Sequence, residues 1–92
     1  MNSIIAMNQS RIRQFEQFMI QRGKRMTKAR RLVAETALLI IGPIRQHEFC
    51  EYLVNEPGSK SISRATVYRV LSDMKEAGLI RIAEDNDFTP PA

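Results

Sequence analysis

The stretch spanning residues 62–82, Ile62-Ser63-Arg64-Ala65-Thr66-Val67-Tyr68-Arg69-Val70-Leu71-Ser72-Asp73-Met74-Lys75-Glu76-Ala77-Gly78-Leu79-Ile80-Arg81-Ile82, decides the fold. At about 100° per residue, Val67, Val70, Leu71 and Met74 gather within roughly one third of a helical circumference, which makes them the buried stripe of a helix. Ser63 is a good N-cap, and Gly78 suits the left-handed residue after a helix end. The helix is therefore expected to run from Ser63 to Ala77. Behind it, Leu79-Ile80-Arg81-Ile82-Ala83 alternates apolar and polar residues as a strand does.

Working back toward the N-terminus, three more helices are legible. Ser10 is expected to cap the first, whose apolar residues Ile12, Phe15, Phe18 and Met19 form one stripe ending at Gly23. After the basic connector Lys24-Arg25-Met26, Thr27 caps the second helix. Its expected inward residues are Leu32, Val33, Thr36, Ala37 and Ile40, and Gly42-Pro43 ends it. The third, from about Gln46 to Asn55, is expected to bury Phe49, Leu53 and Cys50 or Val54. Glu56-Pro57-Gly58-Ser59-Lys60 reads as a loop. Toward the C-terminus, residues 84–87 read as a turn, and Phe88-Thr89 as a short returning strand before Pro90-Pro91.

The expected fold class is mainly α: a winged helix-turn-helix of about four helices with a short C-terminal β-hairpin wing. Residues 1–9 are read as a flexible N-terminal segment, 10–89 as the single domain and 90–92 as a tail. One domain suits a chain of 92 residues. Hydrophobic residues at 43% and charged ones at 26% are the proportions of a globular chain. The lone Cys50 and the lack of a charged-then-apolar leader favour the cytoplasm. The longest apolar run, around residues 38–41, is far short of the roughly 20 residues that span a bilayer.

The net charge of +4 conceals an asymmetry. Arg11, Arg13, Arg22, Lys24, Arg25, Lys28, Arg30 and Arg31 face one acid, Glu16, so residues 11–31 carry +7. The remainder, with six basic and nine acidic residues, carries −3. A focused positive region attracts a polyanion through steering and counterion release, although a solvated basic helix has the same composition.

The outer side of the fourth helix holds Ala65, Arg69, Ser72 and Glu76, with Tyr68 at its flank. A major-groove reader needs a small residue for close approach, a forked donor for guanine and a group to contact the thymine methyl. Ala65, Arg69 and Tyr68 supply these. The hydroxyls of Ser63 and Thr66, with the free amides of the first turn, suit phosphates. An amphipathic surface helix with Arg69 paired to Asp73 at i,i+4 fits the same pattern.

These residues resemble a known family. Ile62-Ser63-Arg64-Ala65-Thr66-Val67-Tyr68-Arg69-Val70-Leu71 with Ala77-Gly78-Leu79-Ile80 is similar to the recognition helix and following strand of the ferric uptake regulator family. Gly23-Lys24-Arg25-Met26-Thr27-Lys28-Ala29-Arg30 is similar to that family's basic segment before its second helix. The resemblance implies that Tyr68 packs on thymines, that Arg69 donates to a base or the backbone, and that Arg25 enters an A·T-rich minor groove. It further implies that Arg30 contacts phosphate. The expected DNA-binding set is Arg25, Thr27, Lys28, Arg30, Ser63, Arg64, Ala65, Thr66, Tyr68 and Arg69, on double-stranded DNA, with homodimer pairing as a route to affinity.

The chain also departs from the family pattern. Pro43 stands where the family often has a His of the regulatory metal site, and Arg45 replaces the usual capping Ser of the third helix. The family's second domain, which holds the metal sites and dimer interface, is not expected here. His47, Cys50 and Glu51 share one helix face at i, i+3 and i+4, but a closed zinc site needs four ligands and no second Cys or His exists. No metal, no cofactor and no enzymatic activity are expected. The competing reading is a protein-interaction module on the same scaffold, using Ile12, Phe15, Phe18 and Met19 or the Ile4-Ile5 pair.

Overall fold

A computed structural model of the chain describes residues 3–57 and 62–83. Four helices follow one another: α1 (Ser3–Gln21), α2 (Lys28–Ala37), α3 (Gln46–Val54) and α4 (Arg64–Glu76). The chain is mainly α, as its periodicities indicate. α2 packs most extensively on α4, α3 lies against α4 as well, and α1 rests on α2.

α4 is the shared surface. Its Val67, Val70, Leu71 and Met74 are all buried, as the wheel arithmetic expects. They meet Ile12, Phe15 and Met19 of α1, Val33, Ala34 and Ala37 of α2, and Phe49, Cys50 and Leu53 of α3 in one continuous core. Phe18 stays at the rim of that core, where the Arg22 guanidinium sits 4.5 Å from its ring centroid.

Helix boundaries follow local chemistry. α1 closes at Gly23 (φ +73°), where the Lys24 amide donates to the Met19 carbonyl at 2.8 Å and the Gly23 amide to Ile20 at 2.9 Å. The same motif ends α4, with Gly78 at φ +78° and the Leu79 amide donating to Met74 at 3.0 Å. Both are left-handed stops that glycine takes without a Cβ penalty. The N-caps of α2 and α4 are Thr27 and Ser63, as expected; that of α3 is Arg45, which makes no side-chain capping bond.

Four expectations need correction. α1 starts at Ser3, so Ser10 lies inside the helix instead of capping it; nothing in residues 7–10 breaks a helix already under way. α2 ends at Ala37, not at Gly42-Pro43, and residues 38–41 lead out of it in turns.

The inward face of α2 is also rotated from the one expected. Val33, Ala34 and Ala37 are buried, whereas Leu32 and Ile40 are exposed. The two alanines let α2 approach the core closely. Thr36 is half-buried, its hydroxyl donating to the Leu32 carbonyl one turn back at 2.8 Å.

Finally, residues 79–83 form no strand. Ile82 makes a single parallel bridge to the buried Ile44. The Ile44 amide donates to the Arg81 carbonyl at 2.9 Å, and the Ala83 amide to the Ile44 carbonyl at 2.8 Å. An alternating pattern needs a neighbour along its length to become a ladder, and here one residue serves. The expected turn at 84–87 and return at Phe88-Thr89 lie outside the described residues, and no hairpin wing is seen among those described.

Because Leu71 is fully buried and Leu32 is not, truncating them should separate clearly. Leu71→Ala is expected to cost about 2–5 kcal/mol in urea unfolding, while Leu32→Ala costs less than about 1 kcal/mol.

Candidate nucleic-acid interface

The start of α4 is a well-formed cap. Ser63 has extended backbone (φ −89°, ψ 158°), and its Oγ accepts the Thr66 amide at 3.1 Å. The same hydroxyl donates to Thr66 Oγ1 at 3.0 Å. The two hydroxyls expected to meet phosphate are thus tied to each other. The Arg64 and Ala65 amides remain among those that a helix start leaves without an intrahelical acceptor.

Along the outer side, Arg64, Ala65, Arg69 and Ser72 are exposed, and Tyr68 is half-buried with part of its ring against the core. Arg64 does not point freely outward. Its Nε and Nη2 grip both oxygens of Glu51 on α3, at 2.7 and 3.0 Å. This fork anchors the first turn of α4 to α3.

Arg69 behaves differently. Asp73, its candidate partner at i+4, is bonded by Lys24 Nζ at 3.0 and 3.1 Å. Among the described residues Arg69 makes no ion pair. The Arg69–Asp73 pairing of a plain surface helix is therefore absent, and the guanidinium is left uncompensated beside Ala65 and Tyr68.

The basic stretch divides in two. Arg22 pairs with Glu76 at 2.8 Å, Lys24 with Asp73 and Arg31 with Glu16 at 3.6 Å. Arg11, Arg13, Arg25, Lys28 and Arg30 have no carboxylate partner among the described residues. Thr27 Oγ1 accepts the Arg30 amide at 3.1 Å, and the Arg30 guanidinium donates to the Arg25 carbonyl. A capped helix start with Arg25, Lys28 and Arg30 around it concentrates positive charge and free amides, both of which favour an anion.

The Lys24–Asp73 bond sets this segment against α4. Asp73 lies one turn, about 6 Å of helix rise, beyond Arg69, so the connector is held at the flank of the helix that carries Ala65, Tyr68 and Arg69. Glu51, Asp73 and Glu76 were not singled out as anchors from sequence. Their partners lie 13, 49 and 54 residues away, beyond the reach of i,i+4 reasoning. For Asp73 and Glu76 the one signal was complementary sign, surplus bases before residue 32 and surplus acids after it; for Glu51, whose partner Arg64 also lies after residue 32, there was none.

The His47, Cys50 and Glu51 group does not converge. Cys50 is fully buried, His47 is exposed, and Glu51 is held by Arg64. Burial, helped by the nearby Glu51 charge, pushes the Cys50 thiol up from its ordinary value. No helix among the described residues is long and apolar enough to cross a membrane. Comparison with protein-family models, with curated proteins and with solved structures finds no match to the chain.

The hydrogen bond from Arg64 holds the Glu51 carboxyl below the usual carboxylate range, and that from Arg22 does the same for Glu76. A depressed carboxyl stabilises the fold above its unfolded-state value, near about 4.3 for Glu, and loses that contribution as pH falls through the lower folded value. Carboxyl chemical shifts followed by NMR should show both groups titrating low. Arg64→Met should return Glu51 alone to the ordinary range, and Arg22→Met should return Glu76 alone.

Proposed function

We propose that the chain is a sequence-selective, double-stranded DNA-binding transcription regulator whose reading element is α4. The observation that carries this reading is the state of Arg69: outward, beside Ala65 and Tyr68, and uncompensated because its neighbouring acid is engaged by Lys24. A forked donor, a small residue and an aromatic edge on one helical side form a set that suits base edges in the major groove.

In this reading the buried stripe of α4 seats the helix in the domain and its other side enters the groove. Arg69 takes guanine acceptors or backbone, Tyr68 packs on thymine methyls and Ala65 permits close approach. Ser63, Thr66 and the free first-turn amides hold phosphate, and Arg64 adds positive potential while bracing α4 on α3. Arg25 reaches an adjacent minor groove, best where A·T-rich sequence narrows it. Thr27, Lys28 and Arg30 hold the backbone that flanks it. Pairing of two copies would add affinity and fix half-site spacing.

The finer assignment, a winged helix of the ferric uptake regulator type, rests on the resemblance of Ala65-Thr66-Val67-Tyr68-Arg69 and of the Gly23–Arg30 segment, and a cytoplasmic setting rests on the lone Cys50. A wing would have to be completed by residues beyond 83. No metal or cofactor enters this reading, and neither does catalysis.

Titration of a labelled sample with an A·T-rich duplex at low salt should move the amide signals of residues 63–69 and those around Arg25 and Arg30. Affinity should fall steeply with salt, and Arg30→Ala should weaken all sequences alike and lower the salt slope by about 1. Tyr68→Ala and Arg69→Ala should instead flatten preference between sequences by about 1–3 kcal/mol. Unmoved amides across residues 63–69 would sink the proposal.

A further inference from the structure

A hollow of about 220 Å³ opens where three distant parts of the chain meet: the middle of α1, the exit from α2 and the segment that follows α4. Buried Ala37, Leu38 and Ile44 form its apolar part. Gly42 and Gly78 place bare backbone in its wall, with open space where a Cβ would stand. Two guanidinium side chains complete the lining, Arg11 from α1 and Arg81 from beside the Ile44–Ile82 bridge.

Charge sets this hollow apart, because no acid lines it. The groove between α1 and α2 holds Arg13 and Arg31 over Ile12 but also Glu35, and the hollow beside α3 holds Glu48. The cations that brace the fold, Arg22, Lys24 and Arg64, each hold a carboxylate. Arg11 and Arg81 have no ion-pair partner among the described residues. Like charges brought to one cavity from far apart in sequence repel each other, and an anion between them turns that repulsion into attraction.

Backbone donors add to the two cations. The Ile44 amide is taken by the Arg81 carbonyl, but the amides of Gly42, Ile80 and Arg81 bond to no carbonyl among the described residues. The size of the hollow falls below the roughly 300–1,000 Å³ of pockets for drug-sized ligands, so it suits a small molecule or a single group. Each guanidinium fork engages two oxygens at once. Two forks match a phosphate, with its three acceptor oxygens and up to about two negative charges, better than a carboxylate with two oxygens and one charge.

We infer that this hollow binds a phosphate group, gripped by Arg11 and Arg81 with the neighbouring backbone amides as further donors. Neither arginine belongs to the set assigned to DNA, so the inference goes beyond the DNA reading and does not depend on it.

Inorganic phosphate titrated into the labelled full chain without DNA, at ionic strength held constant with chloride, tests the site. Saturable NMR shifts in the millimolar range are expected at the amides of Gly42, Ile80 and Arg81 and at the Nε–H of Arg11 and Arg81. R11Q and R81Q should each weaken binding roughly tenfold. R13Q removes an equal charge from α1 outside the hollow and should leave binding unchanged. All three residues are exposed, so each variant should keep the helical circular dichroism of the parent.

A linear drift that chloride reproduces, or unchanged affinity in R11Q and R81Q, overturns the inference. So does binding that emerges only after Glu84, Asp85 and Asp87 are changed to amides, which would give the hollow to the chain's own carboxylates. Adding an A·T-rich duplex to the phosphate-saturated protein names the source of the group. Displacement assigns it to the DNA backbone, and retention assigns it to a small phosphate compound. Because the first titration contains no DNA, failure of this site and failure of the DNA reading are seen separately.

Discussion

Everything in this fold depends on burying one stripe of α4. Val67, Val70, Leu71 and Met74 are the residues against which α2 and α3 pack, with α1 closing the same core over α2, and each is almost wholly removed from water. A fully buried aliphatic side chain contributes on the order of 1.5–3 kcal/mol, which matters greatly to a domain this small. The same burial holds the opposite side of the helix in water. A helix anchored this firmly by one side presents the other with little freedom to rotate, and Ala65, Tyr68 and Arg69 owe their placement to that.

The second constraint is electrostatic and works at the rim. Three long-range ion pairs, Arg64–Glu51, Lys24–Asp73 and Arg22–Glu76, attach α4 to α3 and to the end of α1. All are solvent-accessible to some degree, so none contributes much to stability. Their effect is selection. They remove Arg22, Lys24 and Arg64 from the pool of free cations and leave Arg25, Lys28, Arg30 and Arg69, with Arg11 and Arg13 apart on α1. A segment that carries +7 by composition thus presents a smaller and more localised positive surface.

The molecule also divides its surface by charge balance. Around the α2 cap and along outer α4, positive groups lack partners; in the α1–α2 groove, opposite charges face each other across an apolar floor. The first arrangement suits a polyanion. The His47-Cys50-Glu51 spacing gains no comparable role, because the core takes Cys50 and Arg64 takes Glu51.

Much of this was legible in residues 62–82 alone. Helix α4, its Ser63 cap, its Gly78 stop and its buried stripe follow from short-range rules: a 3.6-residue period, a hydroxyl three residues ahead of an amide, and a glycine where φ is positive. The outward placement of Ala65 and Arg69 follows from the same period. Only tertiary structure could decide what those short-range rules do not reach. Which side of α2 turns inward depends on how closely Ala34 and Ala37 let it approach α4, and Leu32 lost to them. Whether residues 79–83 become a strand depends on a neighbour, and Ile44 supplies one bridge. Whether Arg69 is free depends on Lys24, 49 residues from Asp73, reaching that carboxylate in its place. Local periodicity determined which side chains face outward; packing between distant segments determined which of them stay unpaired.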